Sequence, residues 1–366
     1  MKFLKIAVTL LLALAANLQA ASDKELRDFV KRSFERNPNF TFDRMTVDSR
    51  VAVKNLAGWE KVEFTITAAP KGQMKTISQK NTLYVTGNGK TAFFAASIED
   101  TGAKRAGDKE FEAEARKTLA GNPSVTLNSV KVAKRVKLQN PVNFEAVFME
   151  LDLTVKSADN KTRQVSSSDV WFASGGVIVK EIFYLADASP LKDAIKGDIT
   201  PDHYRADHLI AGDAKAKYKI IVFSDPLCPG CRATLPRLIK AADANPKEIA
   251  IYYYNLPTHA VSPTLMKAVI ASALAGDKDA ERNIYLQNFA ARTGDDEEAL
   301  KIFNNAFDKS LKMSDLDDPM VKEHFDFDDK ASREIAVNST PSVFINGKYD
   351  PSRAEMEKIL SRLGQK

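Results

Sequence analysis

Two cysteines are all that the 366 residues contain, and histidine is nearly as scarce, with four. A scaffold stapled by several disulfides is excluded by that count, as is a zinc site built on four thiolates. Neither residue type occurs between positions 22 and 200, so the front half holds no thiol or imidazole chemistry. Charge of one sign is not in excess either: residues 22–200 carry 28 basic against 23 acidic side chains, and residues 201–366 carry 23 against 25. The two signs are interleaved, with no basic arm or stripe, which argues against a nucleic-acid partner. Past the first 21 residues no stretch is apolar enough to cross a bilayer. What remains is an ordinary globular composition, 44% hydrophobic and 28% charged with scattered glycine and proline. The chain is long enough for two or three domains of about 100–200 residues each.

Residues 1–21 place Lys2 and Lys5 before an apolar run from Ile6 to Ala16 and end on Ala20 and Ala21. This is the pattern of a secretory signal peptide. Asn17 and Gln19 interrupt the run short of the roughly 20 apolar residues that a membrane anchor needs. No cysteine follows to carry a lipid. The mature protein is expected in an exported, oxidising compartment, the periplasm.

The front half repeats itself. Residues 24–64 laid on 109–149, an offset of 85, give eleven identities in 41 ungapped positions, among them Asn37-Pro38 with Asn122-Pro123, Arg50-Val51 with Arg135-Val136, and Glu60 with Glu145. Random pairing would give two or three, at about one in eighteen. Val62, Phe64, Ile66 and Ala68 alternate as Val147, Met149, Leu151 and Leu153 do, the period of a half-buried strand. Each copy is expected to open with a helix (Asp23 to Glu35; Asp108 to Leu119) and continue with about four strands, one helix on a curled antiparallel sheet. The densest basic cluster, Lys131, Lys134, Arg135 and Lys137, reads as the solvated side of a strand.

The two cysteines stand together. Ile220 to Phe223 is a short β-branched run suited to a central strand, and Cys228-Pro229-Gly230-Cys231 falls where a helix running through Lys240 starts. The unpaired amides and positive end of a helix favour a thiolate, which is the nucleophile in disulfide exchange. Cys228, outside the helix, is placed to attack; Cys231, one turn in, is placed to resolve the mixed disulfide. Pro229 at the first turn costs no helical hydrogen bond. A lone pair of this spacing is also compatible with half of a metal site or an inert structural bond. Copper would suit two thiolates, but no methionine or histidine sits beside the motif to complete its ligand set.

A second signal, Thr340-Pro341-Ser342-Val343-Phe344-Ile345-Asn346-Gly347, lies 110 residues downstream, before a final helix expected over Ser352 to Leu363. With the strand and Cys-x-x-Cys before it, this resembles the thioredoxin-like fold, which implies a cis-proline at Pro341 packed beside the redox pair, with Thr340 and Pro341 presenting backbone to substrate and Pro229 and Gly230 tuning the redox pair. Between strand Ile249 to Tyr254 and Pro341 a helical stretch is expected (Ser262 to Ala275, Asp279 to Ala291, Asp295 to Phe307, Asp328 to Val337). Such an insertion resembles the periplasmic Dsb proteins, and Phe223-Ser-Asp-Pro-Leu-Cys-Pro-Gly-Cys231 resembles the DsbC/DsbG isomerase branch more than the DsbA oxidase. The front repeats resemble the cystatin-like dimerisation domain of that branch, there a single copy.

The expected fold class is therefore α+β: a signal peptide (1–21), two tandem cystatin-like repeats (22–105 and 106–186), a linker (187–217), and a thioredoxin-like catalytic domain (218–366) with a helical insertion (262–338). The resemblance implies a thiol–disulfide oxidoreductase acting on exported proteins with cysteines, as a disulfide isomerase or reductase; a thiol oxidase, or a holdase chaperone with a secondary redox site, are the alternatives. It implies a redox partner in the inner membrane and favours a homodimer over an internal pseudo-dimer. No metal or cofactor is expected. His203, His208, His259 and His324 are expected to be dispensable, with only His259 near the cleft.

Overall fold

The structure, a computed structural model, describes residues 21–35, 39–54, 56, 58–72, 75–156 and 162–364. The expected signal peptide therefore lies outside the described residues except for Ala21. Two compact units form. The first comprises residues up to Gly121 with Ser129–Met149 and Val170–Ile195; the second comprises Lys196 onward with Asn122–Asn128 and Glu150–Asp169. Among the described residues no helix is long and apolar enough to cross a membrane.

In the first unit the helix Asp23–Glu35 is followed by β1 (Phe40–Ala52), β2 (Trp59–Pro70), β3 (Ile77–Thr86), β4 (Thr91–Phe94) and β5 (Ile98–Asp100). Leu26, Phe29 and Val30, three and four residues apart, bury one helix face against Val62, Phe64, Leu83 and Val85 of the sheet. The second copy runs in the same order: helix Asp108–Leu119, β6 (Val125–Lys137), β7 (Glu145–Lys156), β8 (Thr162–Ser174), β9 (Val177–Val179) and β10 (Phe183–Tyr184). Both helices end where the sequence pattern puts them. The repeated residues make repeated contacts: Arg50 bonds Glu60 and the Ala21 carbonyl, and Arg135 bonds Glu145 and the Ala106 carbonyl, each partner 85 positions on.

The two sheets trade their last strands. Their orders are β1-β2-β3-β4-β10 and β5-β9-β8-β7-β6, so β10, from the end of the second copy, pairs antiparallel with β4. In return β5, from the end of the first, pairs with β9. The Trp59 and Phe144 rings, 5.3 Å apart, pack one copy on the other.

The second unit is a mixed sheet of β11 (Leu209–Gly212), β12 (Tyr218–Ser224), β13 (Ile249–Asn255), β14 (Ser342–Ile345) and β15 (Lys348–Tyr349), in the order β11-β13-β12-β14-β15. β12 and β13 are parallel, and β13 is buried at every residue, which is why both read as unbroken apolar runs. The helices Pro229–Ala244, Ser262–Leu274, Ala280–Leu286, Asp296–Phe307, Pro319–Ile335 and Ala354–Arg362 belong to the same unit. Three expectations shift. The segment 187–217, read as a linker from its charges and prolines, holds β11, an edge strand of only four residues paired with β13. The helix expected from Asp279 to Ala291 stops at Leu286. The helix expected from Asp328 starts at Pro319, where the Asp318 carboxylate accepts from the Met320 N–H.

Candidate active site

β12 carries the chain to Ser224, a turn covers Asp225 to Leu227, and Cys228 is the extended N-cap of the helix Pro229–Ala244. Pro229 occupies the first helical position, where its missing N–H had no partner to lose. Cys228 is half-buried; Cys231, within the first turn, is fully buried. Antiparallel pairing of β12 with β14, Phe223 opposite Ser342, brings the residues before Ser342 alongside those after Phe223. That register places Thr340-Pro341 against the cysteines. The Thr340–Pro341 bond is cis, and the Cys228 thiol donates to the Thr340 carbonyl at 3.4 Å. A Cβ on Gly230 would stand 3.0 Å from Pro341 Cδ and 3.8 Å from Cys228 Sγ, so the motif admits only glycine without displacing the proline.

The two thiols differ sharply. Partial burial would raise Cys228, but hydrogen bonds from the Thr340 side chain, the Cys231 thiol and the N–H groups of Cys231 and Gly230 outweigh burial and hold it below its ordinary value. Burial pushes the Cys231 thiol up to about 12. One thiol is therefore poised to ionise and the other to stay protonated.

Asp225 is a node that sequence reasoning missed. It is fully buried, and its carboxylate accepts from the Leu227 N–H and the Ser262 hydroxyl (both 2.8 Å), from the Thr258 N–H (2.6 Å) and hydroxyl (2.8 Å), and from the His259 N–H (3.2 Å), with His259 Nδ1 at 3.1 Å. Burial opposes its charge, yet these donors hold its carboxyl below the usual range. Asp225 thus ties the cysteine turn to the loop at Thr258, whose hydroxyl lies 3.4 Å from that of Thr340. The available signal was a lone acid between an apolar strand and the cysteines, a position where a buried charge must find donors.

Of the four histidines, His259 alone lines the open cavity of about 730 Å³ beside Leu227, Pro229 and Phe289. His208 is buried between Asp207 (2.9 Å) and Asp328 (2.6 Å). His208, His324 and Asp328 bring donor atoms within 4.8 Å of one another. The two imidazoles, however, are stacked with planes 7° apart, so their in-plane lone pairs run parallel instead of converging on one ion. The arrangement is a buried ion pair with a ring laid over it.

This strand, dithiol, helix and facing proline loop define a thioredoxin-like domain, and the thioredoxin family model matches residues 205–362. Within that class the chain resembles the Dsb-like thiol–disulfide oxidoreductases. A probable disulfide bond formation protein D of Bacillus cereus is 25% identical over 170 residues, covering 41% of this chain and 76% of the relative. One of Bacillus anthracis is 25% identical over 165 residues with the same coverage. Among solved structures, a thioredoxin-like oxidoreductase from Silicibacter pomeroyi is 18% identical, covers 46% of this chain and 99% of its own, and superposes with a TM-score of 0.36. ScsC of Proteus mirabilis in a compact conformation is 21% identical, covers 41% and 74%, and has a TM-score of 0.31.

Proposed function

We propose that the protein is a periplasmic disulfide isomerase or thiol reductase for misoxidised exported proteins. The observation that carries this reading is the inequality of the two thiols: a half-buried Cys228 held below its ordinary pKa at a helix N-terminus, with Cys231 buried and pushed up to about 12. Cys228 attacks a substrate disulfide as a thiolate and forms a mixed disulfide; Cys231 then resolves it, or a second substrate thiol does, which is isomerisation. Thr340 and Pro341 present backbone to an extended substrate segment, and Pro229 and Gly230 tune the pair. The open cavity beside Leu227 and Phe289 suits an apolar segment next to the substrate cysteine. A partner in the inner membrane keeps the dithiol reduced, and residues 1–21 direct export.

Refolding of scrambled ribonuclease, run beside a determination of the reduction potential, tests this. Wild type is expected to restore ribonuclease activity; Cys228→Ser is expected to lose all exchange, and Cys231→Ser to accumulate mixed disulfides. A protein that oxidises reduced ribonuclease but leaves the scrambled form untouched is an oxidase and refutes the isomerase reading. A double Cys228→Ser, Cys231→Ser variant with undiminished protection against aggregation, paired with a wild type inert towards disulfides, would make it a holdase.

A further inference from the structure

Ser224 ends β12 directly behind the dithiol. The residue is fully buried, and among the described residues its hydroxyl has no hydrogen-bond partner of good geometry. Burying such a group unpaired is costly and calls for a reason. Two groups lie beside it, the Cys231 sulfur and the Tyr285 hydroxyl. Proton counting decides how the neighbouring hydroxyls point. Asn255 Nδ2 donates to Asp328 Oδ2 at 2.8 Å, which turns Asn255 Oδ1 towards Tyr253, and Tyr253 donates its one proton there at 2.8 Å. The contact between the Tyr253 and Tyr285 hydroxyls, 3.3 Å, must then be donated by Tyr285. Tyr285 has no second proton, so towards Ser224 it accepts.

The Ser224 proton therefore has two claimants: the Tyr285 oxygen, and the Cys231 sulfur once that sulfur is a thiolate. With Cys231 protonated, the Tyr285 oxygen is the acceptor open to the Ser224 proton, and the Ser224 oxygen is open to the thiol proton. When the proton leaves, rotation about one C–O bond converts the hydroxyl from acceptor to donor. The Asp225 N–H, 3.5 Å from Cys231 Sγ, is a second donor already in place.

We infer that Ser224 is a further catalytic residue of the exchange reaction: its hydroxyl turns from Tyr285 to Cys231 and, with the Asp225 N–H, holds the resolving thiolate as it forms. This rests on the reading of Cys231 as the resolving thiol. In the step, Cys231 gives up its proton and its sulfur bonds to the Cys228 sulfur. The bond between Cys228 and the substrate sulfur breaks, and the substrate leaves as a thiolate that takes up a proton. One disulfide replaces another, so no external oxidant is consumed. Because burial disfavours the Cys231 thiolate, this is the step that gains most from a donor that acts only on the charged form.

The test mixes the reduced mature chain with excess oxidised glutathione, quenches in acid, and separates the Cys228–glutathione adduct from the internal disulfide by mass spectrometry. Ser224→Ala is expected to slow the unimolecular loss of glutathione roughly tenfold, the scale of one hydrogen bond to a charged group, and to move its pH profile upward. Formation of the adduct, which depends on Cys228, is expected to keep its rate. Ser224→Thr keeps the hydroxyl and is expected to recover the unimolecular rate. Tyr285→Phe removes the competing acceptor and is expected to speed the step, whereas a general loosening of the core would slow it. A Ser224→Ala rate within about twofold of wild type, a Thr variant no faster than the Ala variant, or a Tyr285→Phe variant slowed like Ser224→Ala would overturn the role of Ser224. Absence of any adduct at Cys228 in wild type would overturn the assignment of the cysteine pair instead.

Discussion

Raising the pH from 6.5 to 9.5 is expected to weaken the second unit by about 3 kcal/mol through His208. Burial alone would lower this imidazole's pKa, but Asp207 and Asp328, one on each ring nitrogen, outweigh burial and raise it to about 9. The other titratable groups facing it are Tyr254, its ring 4.4 Å away and its hydroxyl pushed above its ordinary value by burial, the stacked His324, held below its ordinary value by burial, and Arg205, paired with Asp207. A base whose folded pKa exceeds its unfolded value stabilises fully below the unfolded pKa, 6.5, and loses that contribution as pH rises through 9. The interval from 6.5 to about 9, at about 1.4 kcal/mol per pH unit, gives the figure of about 3 kcal/mol. Glu281, raised by burial and by Asp328 to about 8, acts in the same direction between its unfolded range and pH 8, because its charge must be borne in the fold. For a unit of this size the His208 contribution corresponds to a fall in midpoint of roughly 6–12 °C. The measurement is hydrogen exchange at peptides containing Asn255 and Asp328, corrected for the intrinsic pH dependence of exchange. His208→Gln is expected to lose roughly 3–5 kcal/mol at pH 6.5, since it strands the buried Asp328 carboxylate, and to show no further decline between pH 8 and 9.5. Protection in wild type that is flat or rises from pH 6.5 to 9.5 would refute the reasoning.

Gly230→Ala places a methyl 3.0 Å from Pro341 Cδ, so the proline loop must give way and carry with it the Thr340 side chain, whose hydrogen bond favours the Cys228 thiolate; iodoacetamide trapping is expected to show the Cys228 pKa rising and exchange slowing several-fold, about 1 kcal/mol, and an unchanged trapping profile would count against the role of the Thr340 side chain. The strand trade between β4 and β10 and between β5 and β9 covers within one chain the β4 and β9 edges, leaving β1 and β6 as outer strands, so light scattering of the mature protein is expected to give a mass of about 38 kDa, from about 345 residues at roughly 110 Da each; a doubled mass would restore the homodimer that the family resemblance favours.

Local pattern determined the elements of this protein. The 85-residue offset, the two helices from Asp23 and Asp108, the buried run at Ile220 and the cysteines at a strand-to-helix junction are all written in short stretches whose periodicity and caps need no distant partner. Even the Arg50–Glu60 and Arg135–Glu145 pairs were visible as repeated letters, though not as ion pairs. Register and burial were not legible, because they depend on which surfaces meet. The short β11 was hidden among charges until β13 supplied its hydrogen bonds. Strands of two and three residues, β10 and β5, carry no period of their own, so their exchange between sheets emerged only from packing. Thr340 reaches Cys228 across 112 residues through the β12–β14 pairing, and the difference between the two thiols follows from the Thr340 side chain and the helix N–H groups at Cys228 and from the depth of Cys231. Asp225, Ser224, Tyr285 and Asp328 are ordinary residues along the chain; enclosure away from water is what makes each donor and each proton count.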